Sequence, residues 1–132
     1  MIDYENQIYT KVATALRSNF TGIDIKGILT LTPSVFPTVC IQEADNFSDP
    51  DARDTESTDR IANVTYEINI ITKSTKPKSE AKSIFAVADN AFRAMGFTRT
   101  FKADLSSTVE EFRLFGRYEA AIDEDGRIYN RR

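Results

Sequence analysis

The sequence has no histidine, no tryptophan and only one cysteine, Cys40. Histidine is the usual general base near neutral pH and the commonest ligand of zinc and copper. Its absence therefore argues against Ser-His and Cys-His nucleophile pairs and against most transition-metal sites. A single cysteine cannot form a disulfide within the chain, and nothing beside Cys40 in the sequence marks it as reactive. We predict a protein that is not an enzyme and that needs no cofactor and no metal.

Long apolar runs are also missing, since no stretch approaches the roughly 18 residues of a membrane-spanning helix. The first six residues are acidic and lack the basic-then-apolar layout of a signal peptide. Seventeen Lys and Arg against twenty Asp and Glu give a net charge of −3, so the whole chain has no attraction for nucleic acid or acidic membranes. These features predict a cytosolic origin without membrane binding, and the 132 residues predict one domain spanning 1–132.

Familiar ligand-binding motifs are absent as well. The five glycines are scattered and form no phosphate-binding loop. Asp49-Pro50-Asp51 lacks the glycine and the spaced oxygen ligands of a calcium loop, and Asp123-Glu124-Asp125-Gly126 is typical of a turn. The adjacent pair Glu110-Glu111 has no recognisable partner base for acid–base chemistry.

Two segments have the period of amphipathic helices. From Asp3 to Phe20, apolar side chains recur every four residues, and the segment ends at Thr21-Gly22. From Pro77 to Met95 an apolar stripe runs at i, i+3, i+4 and i+7, with a proline suited to the first turn and Gly96 suited to the end. Asp3 is predicted to cap the first helix.

Alternating apolar and polar residues predict the strands, most clearly over Ile61 to Thr72. Shorter strands are predicted at Ile28 to Thr32 and at Thr38 to Glu43. Three more strands are predicted after the second helix. The first contains the apolar positions Phe97, Phe101 and Ala103, the second contains the segment Phe112 to Ile122, and the third runs from Arg127 to Asn130 after the turn at Asp125-Gly126. This order predicts an α+β fold, with a mainly antiparallel sheet, two helices packed on one face and a polar opposite face.

Two charged segments stand out as candidate contacts with partners or with other copies of the chain. A polar loop at about 46–60 contains the acidic residues Asp49, Asp51, Asp54, Glu56 and Asp59. A basic cluster before and within the second helix contains Lys73, Lys76, Lys78 and Lys82. Opposite patches can meet across a head-to-tail interface, while independent solvated patches are the alternative.

Several stretches together resemble one protein family. They are the N-terminal helix ending near Phe20, the proline-flanked strand FPTVCIQ at 36–42, the strand VTYEINIIT at 64–72, the helix ending FRAMGF at 92–97, and the C-terminal hairpin GRYEAAID at 116–123 with GRIY at 126–129. In layout and length, over nearly the whole chain, the sequence resembles the tail-terminator (tail-completion) proteins of long-tailed bacteriophages.

The resemblance implies a structural virion protein without catalytic residues. It implies a ring of identical subunits, a hexamer in this family, that caps the tail tube, ends tube polymerisation and joins the tail to the head–tail connector. The ring would lie at the head-proximal end of the tail, after assembly in the host cytoplasm, and DNA would pass through its lumen without specific binding. A head–tail connector or minor capsid protein is one alternative, and a small soluble enzyme or regulatory binding domain is another.

Overall fold

The computed structural model describes residues 2–30, 33–48, 61–106 and 111–130. Two helices and six strands follow one another in the order α1 (Glu5–Asn19), β1 (Asp24–Lys26), β2 (Thr38–Ser48), β3 (Ile61–Thr72), α2 (Pro77–Met95), β4 (Thr98–Asp104), β5 (Phe112–Asp123) and β6 (Ile128–Asn130). The fold is α+β, as predicted. The bounds of β3 and α2 are the predicted ones.

One sheet contains all six strands, in the order β1-β2-β3-β5-β4, with β6 also paired to β5. Only β1 and β2 are parallel, and the other four pairings are antiparallel. Strands β4 and β6 pair with successive parts of the same side of β5, so together they form one composite edge. Among the described residues, neither helix is long and apolar enough to cross a membrane.

Both helices lie on one face of the sheet, which we call the helix face. The stripe of α2 is buried there, including Phe85, Ala88 and Phe92. It packs on alternate residues of β3, of which Tyr66 and Ile68 are fully buried. The Phe92 ring lies 6.2 Å from that of Tyr66, so the predicted contact between this helix and β3 is confirmed.

The two helix ends that the sequence predicted differ in outcome. The prediction that Asp3 caps α1 is wrong by one residue, because the N-cap is Tyr4 and has no side-chain capping bond, while Oδ1 of Asp3 accepts a hydrogen bond of 3.2 Å from the backbone N–H of Glu5. Helix α2 begins at Pro77 as predicted, and its C-cap is Gly96, whose φ of 108° is the left-handed conformation that glycine adopts readily.

Two predicted boundaries in the first half of the chain are wrong. The strand expected at Ile28 to Thr32 lies instead at Asp24–Lys26, and Ile28 is 72% exposed. Strand β2 extends into the segment that was expected to be a loop from Asn46, because it runs to Ser48 and Phe47 is paired with Asn63. A bulge between Glu43 and Asp45 hides this continuation by breaking the alternation of side chains. Residues 49–60 lie outside the described part of the chain.

The face opposite the helices, the outer face, is less polar than predicted. Cys40, Asn69 and Ile71 are buried there, and Phe115 is 8% exposed. The connection from β1 to β2 contributes to this burial, since the backbone of Thr30 hydrogen-bonds to Cys40. Burial raises the pKa of the Cys40 thiol, as expected of an inert core cysteine.

A second bulge, between Arg99 and Phe101, re-aims the side chains of β4. Phe97 is buried as predicted, but Phe101 does not share its face. The Phe101 ring is 47% exposed and lies 5.9 Å from that of Phe115 on the outer face. The strict alternation predicted for this strand is therefore wrong from Phe101 onward, because one extra residue reverses the sidedness of those after it.

Candidate assembly surfaces

The predicted lysine cluster is largely brought together by the fold. Lys76, Lys78 and Lys82 line a shallow open depression over the first turns of α2, with Pro77, Ser79, Ser83 and Ala86. Lys73 belongs to the connection before the helix, and its Nζ lies 5.7 Å from the centre of the Phe36 ring. Three of the four predicted lysines therefore share one surface.

Lys102 of β4 extends this surface across to the edge of the sheet. Its Nζ lies 4.8 Å from the centre of the Phe85 ring of α2, although Lys102 itself is exposed. Hydrogen bonds with Ser106 hold the pKa of Asp104 below its ordinary value, and the nearby charge of Lys78 lowers it further. We refer to Lys78, Lys82 and Lys102 as the lysine edge. Sequence patterning missed Lys102 because the bulge before it, which turns it to the helix face, has no sequence signature.

The acidic contacts predicted at Asp49, Asp51, Asp54, Glu56 and Asp59 lie outside the described residues. The structure reveals a different acidic cluster, formed by Asp3, Glu5 and Glu43, which we call the acidic edge. Carboxylate oxygens of these three residues lie within 4.8 Å of one another. Oε2 of Glu5 accepts a hydrogen bond of 3.0 Å from the backbone N–H of Glu43, so the start of α1 is tied to β2.

Within the acidic edge, the surroundings of Glu43 are unfavourable to its negative charge. Burial raises the pKa of Glu43 above its ordinary value, and the charges of Glu5 and Asp3 raise it further. The hydroxyl of Tyr66 and the amide of Asn46 donate hydrogen bonds to Oε1 of Glu43 and only partly offset this effect. In the described part of the chain, no lysine or arginine lies within 4.0 Å of these carboxylates.

Asp89 is a contrasting carboxylate whose partners all lie within the fold. It accepts hydrogen bonds from Tyr118 at 2.6 Å, Arg93 at 2.8 Å and Arg99 at 3.2 Å, which join α2 to β4 and β5. Burial alone would raise the pKa of Asp89, but the bonds from Tyr118 and Arg93 and the charge of Arg99 outweigh it and hold that pKa below its ordinary value. This compensated arrangement is typical of a structural anchor.

Exposed large apolar side chains concentrate at the two edges of the sheet. In the described residues there are seven of them, between 38% and 72% exposed. One group lies in β2 and in the connection from β1 to β2. The other group lies on the composite edge formed by β4 and β6 and at the residue that follows β4. The first group is Ile28, Leu29, Val35 and Phe47, and the second is Phe101, Leu105 and Tyr129.

Comparisons with known proteins give similarity at the level of fold alone. No protein-family model matches the chain, and no curated protein sequence matches it. Among solved structures, the fold is similar to the sheath/tube terminator of the extracellular contractile injection system PVC, determined by cryo-EM in the extended state. The TM-score is 0.43 at 12% identity, over 96% of this chain and 60% of that chain. This chain therefore spans less than two thirds of that protein, and the similarity gives no residue-by-residue correspondence.

Proposed function

We propose that this chain is a structural subunit of a viral tail, a tail terminator that forms a homo-oligomeric ring on the end of the tail tube. The ring, a hexamer in this proposal, ends tube polymerisation at the head-proximal end of the tail and offers a surface to the head–tail connector. DNA passes through its lumen without specific binding. The role is not enzymatic and needs no cofactor.

The observation that carries the proposal is the placement of the seven exposed apolar side chains at the two sheet edges. Exposed apolar side chains that are grouped in one region favour a protein–protein contact there, whereas those scattered singly do not. A ring subunit needs two different contact surfaces on opposite sides, because each copy meets one neighbour on each side. Leu29 at one edge and Phe101 at the other are placed as that arrangement requires.

The fold agrees with what the sequence resemblance implies. A helix, three strands, a second helix and three more strands follow in that order, and the C-terminal strands form the expected hairpin through Gly126. This agreement supports the family resemblance. The functional residues of a tail terminator are contact surfaces, and the exposed side chains at the two sheet edges are the candidates for them.

The proposal is tested by a tube-length experiment. Tail-tube subunits encoded in the same genome are polymerised with and without the purified chain, and tube lengths are measured by negative-stain electron microscopy. We expect shorter tubes with a ring at one end when the chain is added. Bovine serum albumin at equal concentration controls for crowding.

Tubes that grow to the same length with the chain present, and carry no ring, would contradict the proposal. A ring that binds the head–tail connector and leaves tube growth unchanged would instead favour the connector alternative. A monomer that binds neither protein would favour a soluble binding domain.

A further inference from the structure

We propose that the lysine edge of one copy binds the acidic edge of the next copy, so that subunits associate head to tail through opposite sides of the sheet. The occupant of each surface is thus a second copy of this chain. This inference specifies the contacts between subunits of the proposed ring, and it rests on that proposed function.

The lysine edge and the acidic edge lie at different edges of the sheet. The lysine edge borders β4, which is an edge strand of the sheet. The acidic edge borders β2 near Glu43, where β2 has run past the three residues that pair with β1. The two surfaces therefore lie on opposite sides of the subunit. When copies of the subunit associate head to tail, the lysine edge of one copy therefore faces the acidic edge of the next. Such contact between two different surfaces is a heterologous interface.

The two edges carry charge of opposite sign. Helix α2 turns Lys78, Lys82 and Asp89 toward β4, because these residues recur along one side of the helix and Asp89 bonds to Arg99 of that strand. In the described part of the chain, none of these lysines has a carboxylate within 4.0 Å, although Asp104 lies close enough for the charge of Lys78 to lower its pKa. With three lysines near this one carboxylate, the lysine edge keeps an excess of positive charge.

Electrostatic repulsion acts within the acidic edge. Three carboxylates whose oxygens lie within 4.8 Å of one another repel when all are ionised. An ammonium group brought by a neighbouring copy relieves this repulsion as well as forming ion pairs. Docking therefore gains more here than at an isolated surface carboxylate, whose ion pair contributes little.

Exposed apolar side chains also lie at the two sheet edges that carry the charged surfaces. Ile28 lies beside Glu5 in one open groove, whereas Phe101 belongs to the same β4 edge as Lys102 but points to the outer face. An interface commonly combines an apolar centre with a charged rim. The charges then select the head-to-tail partner and the apolar side chains contribute contact area.

The experiment uses two full-length variants with reversed charges. One is Lys82→Glu/Lys102→Glu and the other is Asp3→Lys/Glu5→Lys. Sedimentation velocity at low ionic strength, where the Debye length exceeds about 10 Å, measures their association. We expect the wild type to form a closed oligomer and each variant alone to associate at least about tenfold more weakly. A 1:1 mixture of the two variants recovers the oligomer, because each reversed surface then meets its complement.

Matched controls reverse exposed charges outside both surfaces, with Lys11→Glu for the lysine variant and Glu124→Lys for the acidic variant. Neither control should change association. Circular dichroism establishes that every variant is folded. If Asp3→Lys/Glu5→Lys does not fold, Glu5→Gln replaces it, since Gln retains an acceptor for the N–H of Glu43 and is expected to weaken association less.

Three results would overturn the docking model. One is a wild type that remains monomeric at every protein concentration and salt concentration. Another is weakened association in the lysine variant alone, which would point to acidic residues elsewhere, such as the segment containing Asp54. The third is a monomer that binds Ca²⁺ through the acidic edge, detected by calorimetry and lost in Glu5→Gln.

The tube-length assay separates this inference from the proposed function. If the reversed variants cap tubes as well as the wild type does, the docking model fails and the terminator role stands. If the wild type forms the salt-sensitive oligomer but does not alter tube growth, the docking model stands and the terminator role fails.

Discussion

The Tyr118 hydroxyl donates a 2.6 Å hydrogen bond to Oδ1 of Asp89, while the Tyr118 ring stacks on Phe92, with centroids 4.3 Å apart. Both partners of Tyr118 belong to α2, so one side chain of β5 fixes the helix by an apolar and a polar contact. The same carboxylate also binds Arg93 and Arg99. Loss of its charge should therefore affect three elements together.

We expect Asp89→Asn to lower the free energy of unfolding by about 1.5–3 kcal/mol at pH 7, the range for hydrogen bonds to charged groups. The Asp89 side chain is only 14% exposed, so solvent screening is limited. Because folding lowers the pKa of Asp89, its contribution is complete above the unfolded pKa of about 4 and is lost as the pH falls through the folded value. Urea denaturation at pH 7 and pH 3 measures this difference, and a loss that is as large at pH 3 would contradict it.

The acidic edge predicts the opposite pH dependence. Because folding raises the pKa of Glu43, its contribution to stability is greatest below the unfolded pKa and declines as the pH rises through the folded value. We expect Glu43→Gln to raise the free energy of unfolding at pH 7, by less than about 1 kcal/mol. Gln retains an acceptor for the Tyr66 hydroxyl. The gain should vanish in acid, and a loss of stability at pH 7 would show that the Glu43 charge is stabilising.

Sequence periodicity predicted the parts of this fold that are regular. A period of 3.6 residues predicted the apolar stripe of α2, and a period of 2 residues predicted the full length of β3. Both predictions are confirmed. The errors at Glu43 and Phe101 both fall at bulges, where one extra residue shifts the register.

The lysine edge could be predicted in part, because Lys78 and Lys82 are one helical turn apart in the sequence. Lys102 could not, since its place depends on the β4 bulge. The acidic edge depends on a long-range contact, because the hydrogen bond from the Glu43 N–H to Glu5 joins positions 38 apart in the chain. No local pattern records such a contact. The buried Asn69 likewise depends on Arg113, which donates hydrogen bonds of 2.8 and 3.1 Å to its side-chain oxygen across the sheet.

A third prediction concerns a tight contact between α2 and the sheet at Gly116. A Cβ at Gly116 would lie 2.7 Å from Cε2 of Phe85 and 3.2 Å from Cγ2 of Ile68. We expect Gly116→Ala to destabilise the fold by about 1–3 kcal/mol through overpacking. Gly27→Ala is the matched control, because the nearest atom there is 3.9 Å away, at Tyr9. Equal melting temperatures for the two variants would contradict this packing.

The same aromatic ring provides a fourth prediction. Phe85 is 3% exposed, and Phe85→Ala should lower the free energy of unfolding by about 3–5 kcal/mol. That loss is a large part of the stability of a domain of this size. Thermal denaturation checks it, with Ala86→Ser on the exposed side of α2 as the control. An unchanged melting temperature would show that the α2 stripe is not the main core contact.

A fifth prediction separates assembly from stability. Phe101 is 47% exposed at the β4 edge and its ring also contacts that of Phe115, so Phe101→Ser should lower the free energy of unfolding by about 1–2 kcal/mol, less than the loss expected for Phe85→Ala. If this edge is a contact surface, the same variant should associate more weakly in sedimentation velocity. Thr100→Ser, at the adjacent exposed position, should behave as wild type in both measurements. Unaltered association of Phe101→Ser would remove this side chain from the interface.

The pairing of β3 with β5 constrains the order in which the newly made chain can fold. Ile61 is paired with Asp123 and Thr72 with Phe112, with all of α2 and β4 between them in the sequence. Until the ribosome has translated β5, β3 has only β2 as a paired strand, although α2 is already available to pack on it. Non-local strand pairing of this kind is slow, so one edge of β3 stays unpaired, with its backbone hydrogen-bonding groups exposed, until β5 has emerged.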